Sequence, residues 1–360
     1  MIRSATLVRI TIIGTLIFLV SSFHRVAPVA QAQPRSGTVT QCGSSTSSKF
    51  LENLQILSNY IYDPNKGKNS LPSGSPVDQV SGYCSAFTSA YNLATSTFKN
   101  DLDSLTNTFI DTDSCGASAA QCAWAFKDVY TKGTGNTYVA LSSSFFDSTG
   151  AVTQVYSQFI SSLVSALLGA TSPIAVQVSP QTWDTPDLAL IAALAHEVGH
   201  VKWYQNKVEK LNKTSKTCPD PFTGQYIQFA DITWNHHDAA TPKWRYFGVG
   251  DGNGNQPYGQ IGLEQLKRDL GNPVTDLQTI FNGSWASIFA TVSPDEDYIE
   301  TYAMMTVLQT LFQTFNSDIQ ITLANGGPLL TDIGNDYLNS TDRQHRDFNH
   351  KILWIQACAP

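Results

Sequence analysis

The chain is short of charge. Only 14% of its 360 residues are Asp, Glu, Lys or Arg, against roughly 25% in an average soluble protein. Ser, Thr, Asn and Gln fill the polar positions, a habit that suits work outside the cytosol. A basic excess is also missing: 22 Lys and Arg face 29 Asp and Glu, a net charge of -7. An acidic surface repels phosphate backbones, so nucleic acid is not an expected partner. None of the six cysteines forms a C-x-x-C pair, which disfavours a thiolate zinc site. No internal repeat is evident. No apolar run reaches the ~20 residues that a bilayer requires. Hydrophobic residues nevertheless make up 42% of the chain, enough for a packed core rather than a disordered polymer.

Residues 1–32 read as a signal peptide. Arg3 and Arg9 make a positive start, Ile10 to Val20 is apolar, and Ala30-Gln31-Ala32 offers a small-x-small cleavage site. The competing reading is an uncleaved anchor. Cleavage removes Arg3, Arg9 and Arg25 and no acid, so the basic count falls from 22 to 19 against 29 acids, a net of -10. The expected location is extracytoplasmic, secreted or periplasmic, with no stable membrane insertion after cleavage. In that compartment Cys42, Cys84, Cys115, Cys122, Cys218 and Cys358 can form disulfides. Sequence cannot choose among the possible pairings; Cys115 with Cys122 is the simplest, because that loop is short.

Residues 33–47 read as a flexible mature N-terminus. Helical spacing of Phe50, Leu51, Leu54 and Ile61 predicts a helix over 48–62. The stripe from Tyr83 through Phe87, Tyr91, Phe98 and Leu102 to Phe109 predicts one long helix. Residues 136–147 look like a strand running into a loop, 152–168 are amphipathic, and Ile174–Val178 is a short strand. A helix is expected from Asp184-Thr185-Pro186-Asp187 to about Leu211, with Asp184 or Thr185 as its cap. Residues 213–260 show little periodicity, and a second capped helix is expected from Ser293 to about Phe315.

The first of those two helices carries His196-Glu197-Val198-Gly199-His200. Four residues of helix turn about 400°, so the histidines project within roughly 40° of each other and about 6 Å apart along the axis. Both can reach one tetrahedral ion, and Glu197 points beside them, where it can take a proton from a zinc-activated water. The preceding turns are apolar, as a buried helix requires. The longer pattern that ends in a third histidine is absent: Trp203 and Asn206 stand where its glycine and histidine belong. A third ligand is therefore expected in Ser293-Pro294-Asp295-Glu296-Asp297-Tyr298-Ile299-Glu300. Glu296 and Glu300 share a helical face, so one carboxylate can bind metal and the other can bond the free nitrogen of a ligand histidine. Asp295, Asp297 and Glu300 stay open as ligands, and Glu296 could instead close a capping box with Ser293.

These two segments together resemble the gluzincin branch of zinc metallopeptidases. The Glu-Asp-Tyr-Ile-Glu-Thr-Tyr stretch at 296–302 is similar to the Glu-x-x-x-Glu segment of anthrax-lethal-factor-like and related bacterial metallopeptidases. The resemblance covers about 40 residues. It implies Glu296 as the third zinc ligand and Glu300 behind a ligand histidine. Tyr298, Tyr302, His236 and His237 are further candidates for stabilising the oxyanion of a tetrahedral intermediate.

The expected fold is α+β and mostly helical: a zincin-like metallopeptidase domain over 48–360, with a small sheet including residues 136–142 and an insertion around 213–292. The expected function is zinc-dependent hydrolysis of peptide bonds in a peptide or protein substrate, with one Zn2+ per chain. The alternatives are a non-catalytic zinc-binding surface protein and a zinc hydrolase of a non-peptide amide bond.

Overall fold

A computed structural model describes residues 40–59, 72–112, 123–125, 136–143, 146, 176–179, 185–205, 217–236, 244–246, 286, 290, 294–315, 320–323, 329–332 and 346–358. The signal peptide, the 152–168 segment, Ser293 and the Cys115–Cys122 pairing lie outside these residues. The described elements make an α+β protein with a small mixed sheet. The chain divides into two compact units, residues 1–155 with 184–201, and residues 156–183 with 202–360.

The first unit holds α1 (Lys49–Glu52), β1 (Leu54–Asn59), β2 (Ser73–Pro76), α2 (Gly82–Leu93), α3 (Ser96–Asp103), β3 (Asn107–Asp111), β4 (Ala123–Ala125) and β5 (Tyr138–Ser142). Its five strands lie in the order β2-β1-β3-β5-β4. β1, β3 and β5 run parallel, and β2 and β4 close the edges antiparallel. The expected strand at 136–142 is thus β5, beside the central β3. All five of its residues are buried, as a strand covered on both faces demands.

Two helical expectations are corrected here. The stripe from Tyr83 to Phe109 is not one helix. Ala94 is extended (φ -61°, ψ 148°) and closes α2. Thr95 Oγ1 then accepts from the Phe98 N–H at 3.2 Å and starts α3 afresh. A cap hydroxyl that competes for the backbone breaks a helix even where the apolar spacing continues. Phe109 keeps its buried position in β3, where it packs 5.9 Å from Tyr138. Of the helix expected over 48–62, the described residues give one helical turn at Lys49–Glu52 and then the strand Leu54–Asn59, because β1 pairs on both sides, and such pairing overrides weak local preference; residues 60–62 lie outside the described residues.

Asp103, at the end of α3, ties this region together. Its Oδ1 accepts from Ser48 Oγ at 3.1 Å and the Phe50 N–H at 2.8 Å, and its Oδ2 from Tyr91 O–H at 2.8 Å. Phe50 packs between Phe87 and Tyr91, at ring distances of 5.7 and 5.9 Å. A Cys42–Cys84 disulfide joins the N-terminal turn to α2. Helix α4 (Pro186–Gln205) is fastened at its start, where Ser89 Oγ donates to Asp187 Oδ2 at 2.6 Å.

The second unit contains β6 (Val176–Ser179), β7 (Cys218–Pro219), β8 (Tyr226–Ile227), a 3-10 turn at Phe229–Ile232, β9 (Trp234–His236), β10 (Trp244–Tyr246), α5 (Pro294–Phe315), β11 (Gln320–Leu323), β12 (Leu329–Asp332) and α6 (Arg346–Cys358). β11 pairs antiparallel with β6 and β12, and β7 with β8. An aromatic core joins Trp203, Tyr298, Phe229 and Trp354 in sequence, with ring centroids 5.3, 5.1 and 5.7 Å apart. α6 is held to the β7–β8 hairpin by a Cys218–Cys358 disulfide and by Trp354 Nε1–H donating to the Ile227 carbonyl at 3.2 Å.

Candidate metal centre

Helix α4 begins where its cap chemistry says it should. The Leu188 N–H donates to Thr185 Oγ1 at 3.3 Å, so Thr185 caps the helix; Asp184 lies outside the described residues. Leu188, Ile191, Leu194, Ala195, Val198 and Val201 are buried. A helix so enclosed tolerates polar side chains only where something compensates them. Against that apolar background stand His196, Glu197 and His200.

The two imidazoles are half-buried, with ring centroids 5.0 Å apart and planes at 79°. Glu296, in the first turn of α5, is also half-buried. One ligand atom from each of His196, His200 and Glu296 lies within 4.8 Å of the others. Two imidazoles and one carboxylate form a donor set that zinc accepts, with a fourth position left for water or substrate.

Glu197 is 3% exposed, and its Oε2 has no hydrogen-bond partner among the described residues. Burial, offset in part by the neighbouring His196, pushes its carboxyl up to about 7. A buried carboxylate oxygen without a partner is costly, and such atoms in folded proteins call for a specific reason, such as an ion, a water or a catalytic role. This oxygen, without a partner among the described residues, belongs to the residue next to His196 of the three-donor group, so the residues present fit a metal-binding site.

The remaining candidates are placed as follows. Asp297 is completely buried. Lys351 Nζ lies 2.9 Å from its Oδ1 and 2.8 Å from its Oδ2. Thr233 Oγ1 donates to Oδ2 at 3.2 Å and Thr301 Oγ1 to Oδ1 at 3.5 Å. Both oxygens of Asp297 are thus engaged by Lys351 and the two threonines. Glu300 is buried at 9% exposure. Tyr298 is fully buried in the aromatic core, between Trp203 and Phe229. Tyr302 is buried with Lys202 Nζ 5.5 Å from its ring centroid. His236 ends β9, and His237 lies outside the described residues.

Sequence reasoning missed Lys351 and Thr233. The signal for Lys351 was present: Phe348, Lys351, Ile352 and Ile355 recur at helical spacing, so the lysine falls on an apolar face. A lysine there needs an acid.

Compared with protein-family models, curated proteins and solved structures, the chain matches none. What it can do therefore rests on its own residues: two imidazoles, a carboxylate, and a second, buried carboxylate with one oxygen uncommitted among the described residues.

Proposed function

We propose that this protein is an extracytoplasmic zinc metallopeptidase of zincin-like architecture, in which His196, His200 and Glu296 hold the ion. The observation that carries the reading is the buried Oε2 of Glu197, which has no hydrogen-bond partner among the described residues, next in sequence to a histidine of a three-donor group. A bound zinc would supply a Lewis acid that polarises a carbonyl and lowers the pKa of water.

Glu197 does the proton work. Its carboxylate is the base that removes a proton from the attacking water, and its carboxylic acid returns that proton to the leaving amine. Burial raises its proton affinity toward neutrality, the range in which a group can both take and give a proton. A cation on the neighbouring ligands opposes that rise, because opposite charge favours the carboxylate. Glu300 is the residue assigned to bond the free nitrogen of a ligand histidine. A protein built only to store or display metal has no use for Glu197 in this position.

The Cys42–Cys84 and Cys218–Cys358 disulfides suit an oxidising compartment. Among the described residues, no helix is long and apolar enough to cross a membrane.

The deciding experiment is zinc content of the purified protein beside its Glu296→Ala variant. About one zinc per chain, lost or greatly weakened in the variant, is expected from a three-ligand site. Full retention by the variant would move the third ligand elsewhere, and no uptake by the wild type would end the peptidase reading.

A further inference from the structure

We propose that the buried Asp297–Lys351 pair positions Glu296, so that helix α6 sets the metal affinity of the site. This inference rests on the metal-binding reading of His196, His200 and Glu296.

Glu296 and Asp297 are adjacent in the first turn of α5, so their side chains leave the helix about 100° apart. The first turn is the least constrained part of a helix, because its N–H groups have no intrahelical partners. Here it is pinned from outside the helix. Lys351 contacts both Asp297 oxygens, at 2.9 and 2.8 Å, and Thr233 adds a third contact at 3.2 Å. A carboxylate gripped on both oxygens cannot turn about the helix axis. The grip is itself fixed, because α6 is bonded to the β7–β8 hairpin through Cys218–Cys358 and Trp354.

The leverage is large. A ligand oxygen about 6 Å from a helix axis moves about 1 Å when the helix rotates by about 10°. Metal ligands must be held within about 0.5 Å to keep their geometry. A fully buried ion pair is a weak source of stability, since apolar residues of similar volume often serve as well. Directional control of the turn that carries Glu296 is a role those residues could not fill. Lys351 and Asp297 are thus positioning residues.

The test is a double-mutant cycle on zinc affinity, measured by competition with a chromophoric chelator. The variant Asp297→Asn/Lys351→Met removes both charges and leaves no unpaired ion in the interior. We expect its zinc Kd to rise about tenfold or more, while the melting temperature of its metal-free form stays near that of the wild type. In a Glu296→Ala background the same pair of changes should have no further effect on Kd. An unchanged Kd, or an equal rise in both backgrounds, overturns the inference and leaves the metal reading standing. A wild type that binds no zinc overturns the metal reading, and the inference falls with it. If the double variant does not fold, Lys351→Arg serves in its place. It keeps the charge but changes reach and fork, so its Kd should rise while the protein stays folded; an unchanged Kd there also overturns the inference.

Discussion

Lys351 Nζ stands 2.8 Å from Asp297 Oδ2, and neither side chain is exposed to solvent. Removing one partner leaves a charge in an interior that cannot hydrate it. Lys351→Met alone should therefore cost about 3–5 kcal/mol of stability. Urea unfolding of the metal-free protein measures this, and the neutral double variant should recover most of the loss. A single variant as stable as the wild type would mean that Asp297 is protonated or reaches water.

Glu197→Gln keeps the shape of the side chain and removes its basicity. Zinc content should stay close to that of the wild type, while cleavage of a peptide library falls by about 10²–10⁴-fold. A chelator should abolish wild-type cleavage, and added zinc should restore it. Retained turnover in Glu197→Gln would sink the proposed mechanism.

His350 Nε2 lies 3.3 Å from Asp220 Oδ1. Burial raises the Asp220 carboxyl, but the Phe222 N–H, His350 and Thr223 more than offset this and hold it below the usual carboxylate range. A depressed folded pKa means that the unfolded chain binds the proton first. The stability from Asp220 is therefore present above the ordinary carboxylate pKa and is lost as pH falls through the lowered folded value. Urea midpoints at neutral and acid pH should show a smaller acid loss in Asp220→Asn than in the wild type. An identical loss would remove Asp220 from the acid-sensitive set.

The Cys218–Cys358 bridge closes a separation of 140 residues. Replacing both cysteines by serine should lower stability by about 2–5 kcal/mol. It should also loosen the C-terminal helix, seen as faster amide exchange in α6 than in α2. If exchange in α6 is unchanged, Trp354 and the Lys351 pair hold that helix without the bridge.

Much of the candidate site could be read along the chain. His196 and His200 project together because they are four apart on a helix, and Thr185 starts that helix with its own hydroxyl. The strand expected in 136–147 is found at Tyr138–Ser142, and the capped helix expected from Ser293 to about Phe315 is found as α5, Pro294–Phe315. The stripe from Tyr83 to Phe109 misled for a definite reason. Spacing of three or four reports which residues face the core, and Phe109 does face it. It says nothing of whether Ala94 will extend and Thr95 will begin again.

Other relationships have no local signature. Asp295, Glu296 and Asp297 are chemically similar neighbours, and nothing in their order tells which one meets Lys351. That choice depends on a residue 54 positions away. The partners of Cys42 and Cys218 are equally invisible from spacing. Local periodicity and capping follow from the backbone's own geometry, so the chain by itself determined the helix that presents His196, Glu197 and His200. That Asp297 is the acid that meets Lys351 was decided only by tertiary structure, because a buried charge takes the partner that packing brings to it.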